Sequence, residues 1–111
     1  MLREGSLLDE SVPVQVRNAL PDHSVVTVVE MGWRGISNGE LLDRAEAERF
    51  DLVIVADKNL RHQQNLAKRR IAILELWTNH RPTLEQHFVR IRDRVQSTLS
   101  GQYIVLEQES N

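Results

Sequence analysis

Apolar and polar positions along the chain follow two periods in alternation, one suited to strands and one to helices. Ser6-Leu7-Leu8 is a short apolar run closed by the acidic pair Asp9-Glu10. Ser11-Val12-Pro13 reads as a helix start, because Ser caps well and Pro is tolerated in the first turn. Val12, Val16 and Leu20 then share one helical face, and Pro21-Asp22 ends the segment. Val25 to Val29 is almost wholly β-branched, which predicts a strand apolar on both faces, as in a buried parallel sheet. Gly32 and Gly35 surround Trp33 and Arg34 in a loop. Asn38 is expected to cap a helix from about Gly39 to Arg49, with Leu41, Leu42 and Ala45 at helical spacing.

The second half repeats the alternation. Asp51-Leu52-Val53-Ile54-Val55 predicts a third strand, a short helix follows over about Gln63 to Arg69, and Ile71 to Leu76 predicts a fourth strand. Pro82-Thr83 opens what reads as the longest helix, in which Leu84, Phe88, Ile91, Val95 and Leu99 step by four, three, four and four up to Gly101. Tyr103 to Leu106 offers a fifth strand. Strands and helices alternating through short loops predict an α/β fold: a three-layer α/β/α domain with a mostly parallel sheet of four to five strands. Residues 1–106 are expected to form this single domain and 107–111 a polar tail.

Composition narrows the chemistry. The chain has 111 residues, enough for one core. With no cysteine, thiolate metal sites, disulfides and cysteine nucleophiles are excluded, and a reducing cytoplasmic setting is expected. No apolar stretch is long enough for a membrane span, and the first apolar run is too short for a signal peptide. The formal net charge of −2 supplies no overall basic field for nucleic acid, so any such contact must be local.

The acids fall where an open parallel sheet places ligands, outside the carboxyl ends of its strands. Asp9 and Glu10 follow the first strand and Asp57 the third, while Glu40 lies in the first turn of the second helix. Carboxylates brought together repel unless a proton or cation is shared. With oxygen ligands alone, a hard ion such as Mg²⁺ or Mn²⁺ is the natural counter-charge, and such an ion retains waters and takes up phosphate. Each acid also has a purely structural role open to it. Asp9 or Glu10 can cap the first helix, Glu40 can oppose a helix dipole, and Asp57 with Asn59 can form an Asx turn.

Five segments in order resemble the PIN-like nuclease superfamily. They are Leu7-Leu8-Asp9-Glu10-Ser11-Val12-Pro13, Met31-Gly32-Trp33, Asn38-Gly39-Glu40-Leu41-Leu42, Ala56-Asp57-Lys58-Asn59-Leu60 and Gln63-Gln64-Asn65-Leu66. The chain looks most like the short single-domain bacterial branch encoded beside small antitoxin-like partners, and the likeness runs from about Leu7 to Leu99. The resemblance implies a metal-dependent ribonuclease acting on RNA, the toxin of a toxin–antitoxin pair, with Asp9, Glu40 and Asp57 as catalytic residues and ligands of Mg²⁺ or Mn²⁺. It also implies a homodimer. The chain departs from the family at Asn59, where an acid is common, at Val55, where a polar residue is usual, and at Ser11, where asparagine is common. Those departures define the alternative, a PIN-like binding module with little or no catalysis.

Around this edge, Glu10, Lys58, Asn59, Arg61, Gln64 and Asn79 are the candidate substrate contacts. Cations beside a metal site can hold phosphates, and amides can meet ribose or base. Trp33 is the candidate for base stacking, with packing against the core as its other role. Arg90 and Arg94 share a face of the last helix that reads as solvated.

Overall fold

The computed structural model describes residues 5–60 and 69–108. Five strands, β1 (Ser6–Leu8), β2 (Val25–Thr27), β3 (Leu52–Val55), β4 (Ala72–Leu76) and β5 (Tyr103–Leu106), form one all-parallel sheet in the order β2-β1-β3-β4-β5. The chain is therefore α/β, as its alternating pattern predicts. Strand β1 moves outward to β2, and the chain then crosses back over β1 to β3 and continues to β5. The order reverses between β1 and β3, whose registers pair Leu7 with Val53 and Leu8 with Ile54.

Successive strand residues alternate between two apolar clusters, as the period of a pleated strand requires. Leu8, Leu52, Ile54 and Leu74 join Val16 and Leu20, together with Leu84, Ile91 and Val95. Leu7, Val53, Val55 and Ile73 join Leu41, Leu42 and Ala45 of helix α1 (Asn38–Ala47). Strands β3 and β4 are buried along their whole length, which is why they read as continuous apolar runs.

Four local expectations change. The β-branched run 25–29 yields only three strand residues, all half-buried, because β2 is an edge strand and not a central one; Val29 turns outward. The first helix is a six-residue 3-10 helix, η1 (Val14–Ala19), without a side-chain cap. The Ser11 hydroxyl expected to cap it is engaged at the end of β3 instead. Helix α1 is capped by Ser37, whose Oγ accepts from the Glu40 N–H at 3.2 Å, and Asn38 lies within the helix.

The long helix after β4 is interrupted, giving α2 (Arg81–Glu85) and α3 (Phe88–Ser97). The His87 ring Nδ1 donates to the Thr83 carbonyl at 2.9 Å, the acceptor an α-helical backbone would use, while the His87 N–H bonds Leu84 O instead. Helix α3 ends before Leu99, which is 57% exposed and outside the core. Gly101, with φ +81°, serves the turn into β5, not the helix end.

Candidate functional site at the carboxyl edge

Parallel pairing brings the carboxyl ends of all five strands to one edge. Asp9 leaves β1 with its N–H still bonded to Ile54 O at 3.0 Å, so it continues the ladder with β3. Its Oδ2 accepts from Ser11 N at 3.2 Å and from Ser11 Oγ at 2.6 Å, and Ser11 Oγ in turn accepts from Ala56 N at 3.0 Å. The exit of β1 is thereby stitched to the exit of β3 where the strand order reverses. Asp57 is the residue after that stitched amide. It is half-buried, and its Oδ1 accepts from Asn59 N at 2.9 Å, which shapes the Asx turn foreseen for that pair.

The other predicted residues are placed less centrally. Glu10 is exposed, and its Oε1 accepts from Gly35 N at 2.6 Å, pinning the loop between β2 and α1 to the end of β1. Glycine suits position 35, where φ is +81°. Glu40 occupies the first turn of α1 and pairs with Arg44 one turn on, at 2.5 Å along the exposed helix face. Lys58 and Asn59 are exposed in the turn after Asp57, and Asn79 is exposed in the loop from β4 to α2. Arg61 and Gln64, with the short helix expected over 63–69, lie outside the described residues, apart from Arg69.

Among the described residues, no group of three or more His, Asp or Glu is arranged to hold a metal ion. A fully protein-built carboxylate cage is thus not what these side chains form. Hydrated Mg²⁺ needs only one or two carboxylates and completes its shell with water and phosphate. Asp9 and Asp57, which follow the ends of the adjacent strands β1 and β3, are the acids that such a lesser requirement would call on.

Trp33 packs inward with its ring edge-on to Phe50 at 6.4 Å and Arg44 over its face at 5.9 Å, so it is a core residue and offers no stacking platform. Arg90 likewise leaves the solvated face expected for it. It lies over Trp77 at 5.3 Å and donates to the Glu107 carbonyl, tying α3 to the exit of β5.

Two residues at this edge carry more than their sequence context suggested. Ser11 is the bridge between the strand ends. Glu75, in β4, is 1% exposed and accepts from Tyr103 Oη at 2.6 Å. It borders a hollow of about 260 Å³ that also meets Lys58, Trp77 and Glu107. A single acid inside the apolar run 71–76 was the signal available for it. Searches against family models, curated proteins and solved structures return no match to this chain.

Proposed function

We propose that this chain is a PIN-like ribonuclease domain that cleaves RNA phosphodiesters at the carboxyl edge of its sheet with Mg²⁺ or Mn²⁺, working in the cytoplasm as the toxin partner of a small antitoxin protein. The observation that carries this reading is the placement of Asp9 and Asp57 at the ends of β1 and β3, the point of strand-order reversal. Open parallel sheets bind ligands at such points. The five-segment resemblance supports the same assignment.

Asp9 and Asp57 are the residues that would hold the ion, and a divalent cation there supplies Lewis-acid activation of water and of a phosphoryl oxygen. Ser11 fixes the Asp9 carboxylate through Oδ2, and among the described residues Oδ1 takes no hydrogen bond and so is open to a ligand. Asp57 is oriented by the Asn59 amide in the same way. Lys58, exposed next to Asp57, is suited to a substrate phosphate.

Asp57→Asn tests the reading, because asparagine keeps an oxygen for the Asn59 amide while removing the charge. Metal-dependent cleavage of a single-stranded RNA should fall at least about 100-fold with thermal stability within about 2 °C of the parent. Cleavage at the parent's rate overturns the assignment. The second reading, a binding module without chemistry, is favoured by one observation: Asp9 Oδ2 is already doubly engaged by Ser11. It predicts no cleavage by the parent chain with either metal and a Mn²⁺ calorimetric titration indifferent to Asp57→Asn.

A further inference from the structure

At the amino edge of the sheet, where the chain enters β3, β4 and β5, lies a cavity of about 550 Å³ bordered by Arg49, Phe50, Asp51, Arg70, Ile71 and Ser100, with Glu46 behind them. Helix α1 ends beside it in a pair of bonds: Phe50 N–H donates to Ala45 O at 2.9 Å and Arg49 N–H to Glu46 O at 3.1 Å. Such an ending puts the residue between them in the left-handed region, a place glycine usually takes because a Cβ is strained there. Here that residue is Arg49, with φ +64°. The helix dipole does not require an arginine at this position, since Arg44 already brings a cation to the last turn. Backbone strain of this kind persists where the side chain serves a ligand or a switch.

Arg70 reaches the same cavity from the start of β4. Its N–H donates to Glu46 Oε2 at 2.9 Å, and its carbonyl accepts from Ser100 Oγ at 2.8 Å. Glu46 therefore anchors both arginine backbones, one through its carbonyl and one through its carboxylate. The acids on this wall are already engaged. Glu46 accepts from Arg69 and from the N–H groups of Arg70 and Ile71, and Asp51 Oδ2 accepts from Gly5 N at 3.3 Å. Arg49 and Arg70 are exposed, and among the described residues neither guanidinium meets an acid or any other hydrogen-bond partner. Two donor forks bordering one cavity call for an anion with oxygens enough for both. A phosphoryl group offers three terminal oxygens and can be held by two guanidiniums at once, whereas one fork matches both oxygens of a carboxylate. Phe50 and Ile71 add an apolar wall, and the volume is that of a small-molecule site.

We infer that this cavity binds a small phosphorylated molecule, with its phosphate clamped by Arg49 and Arg70 and its organic body against Phe50 and Ile71. The site lies at the edge away from Asp9 and Asp57, and it stands or falls independently of the nuclease reading.

The test titrates metal-free, full-length protein with phenyl phosphate, inorganic phosphate and phenol, following ¹⁵N–¹H shifts. Phenyl phosphate should saturate shifts at Arg49, Phe50, Arg70 and Ile71 with a Kd of about 1 mM or below, at least about 3-fold tighter than inorganic phosphate, and phenol should leave these positions unmoved. Arg49→Gly keeps the left-handed turn while removing the guanidinium. It should weaken phenyl phosphate at least about 10-fold while the melting temperature stays level or rises, opposite signs that a structural arginine would not give. Arg70→Gln should weaken binding to a similar degree. No saturable shift up to about 20 mM phenyl phosphate, an equal response to phenol, or affinity surviving either variant each overturns the inference. So does a melting temperature lowered by Arg49→Gly, which would make that arginine part of the fold. Inorganic phosphate binding as tightly as its phenyl ester would overturn the organic body, and a 5′-hydroxyl RNA oligomer shifting the same residues more tightly than phenyl phosphate would make the cavity part of a nucleic-acid groove instead.

Discussion

Ser11 decides how the two strand ends meet. Its hydroxyl donates to Asp9 and accepts from the Ala56 amide, so one small side chain satisfies both a carboxylate and a backbone donor that β3 leaves over. Ser11→Ala leaves the Ala56 N–H without its acceptor and Asp9 with the Ser11 backbone N–H alone, at a half-buried position. The cost should be about 1–3 kcal/mol, measured as a lower urea midpoint with an unchanged slope. Asp9 and Asp57 were legible in the sequence because they terminate apolar runs, and a carboxylate after such a run marks a strand end directly. The bridging role of Ser11 was not, since it depends on Ala56 arriving 45 residues later at hydrogen-bonding distance. The burial of Trp33 was equally hidden: flanking glycines announce a loop but not which way its side chains fold.

At the scale of elements, local periodicity located every strand, while tertiary position decided how much of each was used. The runs at β3 and β4 matched their burial because both strands are interior. The run at β2 looked the same in composition, yet its strand is short and half-buried at the edge. That difference should appear in energetics. Ile54→Ala, in the fully buried β3, should cost about 2–5 kcal/mol, and Val26→Ala on β2 about 1 kcal/mol or less. Comparable losses in chemical denaturation would contradict the edge assignment. The break between α2 and α3 illustrates a competition that spacing cannot reveal, since Phe88, Ile91 and Val95 keep their helical register on the far side of His87. There the imidazole takes the carbonyl that the backbone would have used.

Over the whole molecule, the ion-pair cluster around Arg69 and the candidate chemistry sit at opposite ends of the sheet, an arrangement that depends on strand order and so is absent from the linear pattern. Near the start of β4, Arg69 contacts Asp43 and Glu46 of α1 at 2.8 Å each, and Glu46 also accepts from the N–H groups of Arg70 and Ile71. Partial burial works to raise the Glu46 pKa, but the Arg69 guanidinium and the two amides outweigh it and hold the carboxyl below its ordinary value of 4.5. A carboxyl depressed in the folded state stabilises it above the unfolded value, and that contribution is lost as pH falls through the folded one. Stability should therefore be level from neutrality to about pH 5 and decline as the solution becomes more acidic. Glu46→Gln should cost about 2 kcal/mol at pH 7. The gap from the parent should close toward zero as pH falls below the folded pKa of Glu46, measured by urea denaturation across that range. Because Asp9 and Asp57 lie at the other edge, the same variant should leave the pH profile of the proposed RNA cleavage unchanged at temperatures where it stays folded. A gap that persists undiminished at low pH would show that Glu46 acts through packing, and a shifted cleavage profile would show that the two ends of the sheet are coupled.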